Sequence, residues 1–199
     1  MSPSRGQRTI DEIARVAQWV GQVRPGRDWE AVELDIGTVL PSDYKELLSR
    51  FPSGAYREFV WVTSPIDVRT DYANFIQEEI FGTIQVLGDE ELEYLKGTDY
   101  RLYPKPGGLL PWGNDGQGGI FCWIVDGRDP DQWRVAYYNQ DANEWGEHQG
   151  PVTEVIWEVL TSVGDDNILG FSIDDEPAVF RVPSTHMGNG VWLPNPEYR

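Results

Sequence analysis

Cysteine and histidine are scarce in this chain, and acids outnumber bases about two to one. The single cysteine, Cys122, excludes an internal disulfide. The two histidines, His148 and His186, lie in separate segments, and with one cysteine they form no zinc-binding pattern. No stretch approaches the ~20 apolar residues that a membrane-spanning helix needs. Residues 1–8 are polar, carry Arg5 and Arg8 and have no apolar signal core, so the cytoplasm is the expected compartment. Lysine and arginine total 16 against 33 aspartates and glutamates, a formal charge of -17. A field of that sign repels nucleic acid and anionic membranes and favours basic partners.

What is present is apolar and aromatic. Of 199 residues, 40% are hydrophobic and nine are tryptophan, enough for one packed domain rather than a disordered chain. Thr9-Ile10-Asp11-Glu12 has the form of a capping box. Ile10, Ile13, Val16, Ala17 and Val20 then recur at helical spacing, widened by Trp19 and Val23, until Pro25 and Gly26. Residues 29–33 fit helix or strand. Pro41-Ser42-Asp43-Tyr44 starts a helix whose buried face is Tyr44, Leu47, Leu48 and Phe51, stopped by Pro52-Ser53-Gly54. Tyr56–Thr63 alternates as a strand. Tyr72, Phe75, Ile76 and Ile80 suggest a third helix, and Asp89–Lys96 one or two further helical turns. Ile120–Val125 has no polar face, which predicts a central strand covered on both sides. A strand over Trp133–Tyr138, a short edge strand near Asn143–His148 and a helix over Pro151–Val163 follow. Beyond Gly164, Ile168–Ile173 and Ala178–Val182 are expected as two short strands, with an irregular tail after them. This order predicts an α+β fold: a mixed or mainly antiparallel sheet flanked by helices in a single domain. The expected layout is a flexible tail at 1–8, the domain at 9–165 and a C-terminal extension at 166–199.

Several of these segments resemble the SUKH superfamily and its Smi/Knr-type domains. The first block is Leu40-Pro41, Asp43-Tyr44, Phe51-Pro52, Gly54 and Phe59-Val60. The second runs from Leu102-Tyr103-Pro104 through Pro106-Gly107-Gly108-Leu109-Leu110-Pro111-Trp112-Gly113 to Cys122-Trp123 and Asp129-Pro130-Asp131 with Trp133. The resemblance spans residues 10–165. It implies an α+β binding domain without an active site, whose bacterial members serve mainly as immunity proteins that neutralise a toxin. Pro41, Tyr44, Gly54, Pro111, Trp112, Gly113 and Trp123 then act as turn formers and core residues.

The residues themselves offer little chemistry. Cys122 sits mid-strand, where a buried small hydrophobe outweighs a thiol nucleophile. Asp126, Asp129 and Asp131 could supply oxygen ligands to calcium, but they lack EF-hand spacing and fit a solvated turn better. Gly113–Gly119 lacks the lysine of a phosphate loop and reads as a turn. Glu78-Glu79 and Glu90-Glu91 fall on expected solvated helix faces. No catalytic residue, cofactor or metal is therefore expected. The binding reading selects the acids around the sheet, namely Asp115, Asp126, Asp129, Asp131, Asp141, Glu144 and Glu147, with Trp133 and Trp145 as aromatic anchors. The expected partner is a basic, nuclease-type protein toxin, met by a monomer that contacts neither nucleic acid nor membrane. Two other readings stay open. One is a regulatory or scaffold module of the Smi/Knr type. The other is a small-ligand binder or hydrolase, which needs a deep pocket with convergent polar groups.

Overall fold

The computed structural model describes residues 9–127, 129–186 and 192–198; the expected tail at 1–8 lies outside them. Helix α1 (Ile10–Val16) opens on the predicted capping box. The Thr9 hydroxyl accepts from Glu12 N at 3.3 Å, and the Glu12 carboxylate accepts from Thr9 N at 3.0 Å. It ends well before Val23. Gln18 adopts φ 54° and the chain turns back. The Trp19 indole then donates to the Arg50 carbonyl at 3.0 Å, and the Arg50 guanidinium donates to the Gly21 carbonyl. Val20, expected on the buried stripe, is 90% exposed because this pin ends the helix first.

Helix α2 (Trp29–Ile36) resolves the ambiguous segment and closes at Gly37, whose φ of 90° suits glycine. Helix α3 (Ser42–Arg50) buries Tyr44, Leu47 and Leu48 as predicted, with Phe51 buried just beyond. The strand expected over Tyr56–Thr63 is instead a hairpin of β1 (Gly54–Tyr56) and β2 (Val60–Val62). Arg57 and Glu58 make its turn at φ 48° and 63°, a conformation their side chains do not advertise. Then α4 (Tyr72–Asn74), a π-helical segment (Phe75–Gly82) and α5 (Thr83–Leu87) follow without a break. Residues 89–98 form turns rather than the expected helix.

Strands β3 (Arg101–Leu102), β4 (Gly108–Asn114), β5 (Ile120–Val125), β6 (Arg134–Asn139) and β7 (Glu144–His148) follow. The chain then forms α6 (Val152–Thr161), β8 (Phe180–Arg181), and a separate hairpin of β9 (Ser184–His186) and β10 (Trp192–Pro194). The main sheet runs β7-β6-β5-β4-β2-β1-β8, all antiparallel, with β3 added parallel to β4. The fold is thus α+β with a mainly antiparallel sheet. Among the described residues no helix is long and apolar enough to cross a membrane.

The central strand is covered on both sides. Phe121 and Trp123 join Leu110, Trp112, Val135 and Tyr137 in the main core, which also takes in the buried faces of α1, α3 and α6. Cys122 and Ile124 join Leu109, Ala136 and Leu87 in a second core, under Tyr94, Leu95 and Tyr100. Period-two alternation inside an all-apolar strand feeds both clusters.

The segment after residue 165 completes the main core. Leu169, Ile173 and Phe180 are buried in it. The Phe180 ring lies 4.9 Å from Trp19, 5.0 Å from Phe51 and 4.8 Å from Tyr56. Residues 168–173 are irregular, not the expected strand, while β8 pairs with β1. Buried Arg57 ties this segment in, donating to the carbonyls of Glu176 at 2.9 Å and of Val159 and Ser162 at 3.0 Å each. Nearer the C-terminus, the Arg69 guanidinium stacks 4.0 Å from the Tyr198 ring and donates to the Glu197 carbonyl at 3.0 Å.

Candidate partner-binding surface

Pro130–Gln132 forms a short 3-10 turn between β5 and β6. The Asp129 carboxylate caps it by accepting from Asp131 N at 3.1 Å. Asp131 in turn accepts from Ser42 N at 2.6 Å, at the first residue of α3. One residue on, Asp43 accepts from Thr153 N at 2.9 Å in the first turn of α6. Two carboxylates thus each satisfy a free backbone N–H at the positive start of a helix. Asp43 is buried, which pushes its pKa up; its hydrogen bonds with Thr153 oppose that shift, and the charge of Asp131 adds to it.

A cleft of about 450 Å³ lies where these three elements meet, walled by Asp43, Asp131, Gln132, Trp133, Gln149 and Glu154. Among the described residues, three carboxylates line it and no lysine, arginine or histidine does. Asp129 is exposed beside it. Sequence reading missed Asp43 and Glu154. Asp43 looked like a cap for its own helix, and only the tertiary fold brings it to α6.

The other predicted residues are not gathered here. Asp115 is only 6% exposed. It accepts from Gln117 N at 2.7 Å, Gly119 N at 2.8 Å and the Tyr137 hydroxyl at 2.7 Å, so it holds the β4–β5 turn together. Trp133 is 4% exposed and packs 6.3 Å from Trp123. Both are thus largely buried, Asp115 inside its turn and Trp133 at the wall of the cleft. Asp126 and Glu147 flank Arg134 at 3.3 and 2.5 Å, and Glu147 also accepts from the Tyr100 hydroxyl at 2.8 Å. Their charge is thus partly neutralised within the chain. Asp141 and Glu144 are exposed at the β6–β7 end, where half-buried Trp145 donates to the Tyr94 carbonyl at 2.9 Å. Strand β6 separates the two groups: its six residues, with a rise of about 3.3 Å per step, put its ends roughly 17 Å apart. The predicted acids therefore fall into two patches, with the cleft at one end of the sheet.

Cys122 and His148 sit in different surroundings. Burial pushes the Cys122 thiol up, away from a nucleophilic thiolate, and Cys122 lies in the second core. His148 meets Glu158 of α6 at 3.0 Å.

The SMI1/KNR4 family (SUKH-1) matches residues 26–162, and the chain belongs to that family. No curated protein and no solved structure matches the chain.

Proposed function

We propose that this chain is an immunity-type member of its family, which binds a basic protein toxin and holds it inactive, with the α3/α6 cleft at the centre of the contact. The family includes toxin immunity proteins. The observation that carries the reading is the cleft itself: Asp43, Asp131 and Glu154 line it with no base among the described residues, in a chain of charge -17. Such a site attracts a lysine- or arginine-rich surface from a distance and rejects nucleic acid, so it suits a nuclease-type toxin whose own cleft is basic. Asp129 extends the acidic rim. Asp126 and Glu147 add less, because Arg134 already answers them. Trp145, beside Glu144, is an anchor for contact at the far end of the sheet.

The test is co-expression with the product of the neighbouring gene, in a host whose growth that product arrests. Growth is expected with the wild-type chain. It should be lost with Asp131→Asn combined with Glu154→Gln, changes that remove charge and keep shape. Arrest despite a folded wild-type chain would move the function to a regulatory module.

A further inference from the structure

Strand β7 ends at His148, and Gln149-Gly150-Pro151 carries the chain from there into α6. Those three residues, with Glu154, also form one wall of the α3/α6 cleft. His148 is 7% exposed, and both nitrogens of its ring are engaged. Nε2 meets a Glu158 carboxylate oxygen at 3.0 Å, and Nδ1 accepts the Gly150 backbone N–H at 3.0 Å. That pattern belongs to the neutral ring with its proton on Nε2. The Gly150 carbonyl stands 3.4 Å from the same Nδ1. A side chain at Gly150 would run into the Glu154 carboxylate and lie 2.8 Å from His148 Cε1, so ring, loop and cleft acid pack closely together.

Protonation reverses one of these bonds. A charged ring carries a hydrogen on both nitrogens, so Nδ1 no longer accepts from Gly150 N and turns to the Gly150 carbonyl. The backbone that must turn is the cleft wall. Charge acts in the same direction. Among the described residues, the charged groups facing the ring are Glu158 and Glu154, both on α6. From β6 it is opposed by Val135, and neighbouring Arg134 is taken up by Asp126 and Glu147. Asp43 of α3 is turned to Thr153. A proton on His148 thus cancels part of the field that Glu154 gives the cleft.

We propose that His148 is a pH-operated gate on the α3/α6 cleft: the neutral ring holds the Gly150 wall and leaves the acids at full charge for a basic partner, and the protonated ring turns the wall and weakens capture. The gate rests on the reading of that cleft as the partner site. Acidification through the histidine range releases the partner.

The test uses the full chain. NMR follows the His148 ring and the Gly150 amide between about pH 5.5 and about pH 8.5. The ring should titrate from the Nε2–H tautomer, and the Gly150 amide should move with the same midpoint. Stopped-flow association with the product of the neighbouring gene is measured at about pH 6 and about pH 8. The wild-type rate should be about threefold lower at the acid end, and His148→Gln should remove that difference. The partner's own titration is common to both chains and cancels in the comparison. Glu158→Gln keeps the ring and should lower the midpoints of the Gly150 amide and of the rate together, which decides the matter should His148→Gln not fold. A Gly150 amide that ignores the ring, or a complex whose pH response is the same in His148→Gln, would overturn the gate alone. No complex at either pH would overturn the α3/α6 reading and the gate with it.

Discussion

The carboxylate of Asp43, in the first turn of α3, accepts the backbone N–H of Thr153 in the first turn of α6 at 2.9 Å. One buried acid therefore couples two helices that are 110 residues apart in sequence. Its neighbour Ser42 gives its own N–H to Asp131. The acidic cleft is built from the same groups that fix the helix starts, so the site is as rigid as the fold.

Removing this coupling is expected to be costly. Asp43→Ala leaves the buried Thr153 N–H without an acceptor and should lower stability by about 1–3 kcal/mol in urea denaturation. Asp43→Asn, which keeps an acceptor, should lose less.

The turn acids separate in the same assay. Asp115→Ala deprives two backbone N–H groups and the Tyr137 hydroxyl of their acceptor, and a loss of about 2–3 kcal/mol is expected. Exposed Asp141→Ala should stay within about 0.5 kcal/mol. Equal effects would mean that Asp115 does not organise the turn.

Arg57 is expected to be irreplaceable by lysine. Its guanidinium reaches three carbonyls in different directions, which an ammonium on a flexible stem does not match. Arg57→Lys should destabilise by about 2–4 kcal/mol. A chain ending at residue 165 should lose cooperative unfolding, because Leu169, Ile173 and Phe180 leave the core. Phe180→Ala in the full chain should lose about 3–5 kcal/mol.

Stability should fall with rising pH across the histidine range. Burial opposes a charged His148, but Glu158, the Gly150 backbone and the charge of Glu154 together outweigh it, and the His148 pKa lies above its usual 6.5 in the folded chain. The folded state then holds the proton more tightly than the unfolded state. That contribution is complete below 6.5 and lost as pH rises through the folded pKa. Urea midpoints from about pH 6 to about pH 8 should fall for the wild type and flatten in Glu158→Gln.

Much of this fold was legible where local signals and tertiary demands agree. Thr9 and Glu12 mark a helix start, Tyr44 to Phe51 mark a buried face, and Ile120–Val125 has no polar side to show to water. The misreadings have physical causes. Val20 continues a helical stripe, but a distant pin between Trp19 and Arg50 ends the helix first. Arg57 and Glu58 take left-handed backbone without glycine or asparagine to signal a hairpin. Glu79 looked like a solvated helix acid, yet it is half-buried and hydrogen-bonded with Thr63. Of the site, the acidic character and Asp129 and Asp131 were readable from the turn sequence. The burial of Asp115 and Trp133, and the separation of the acids by β6, depend on strand order, which local patterns do not carry.

The central claim is electrostatic capture of a basic toxin at the α3/α6 cleft, and the most direct measurement is stopped-flow association with the product of the neighbouring gene, at rising salt. The account predicts a one-to-one complex. Its association rate should fall steeply with salt and drop several-fold when Asp131→Asn and Glu154→Gln are combined. No complex, or association indifferent to both salt and these two substitutions, would contradict it.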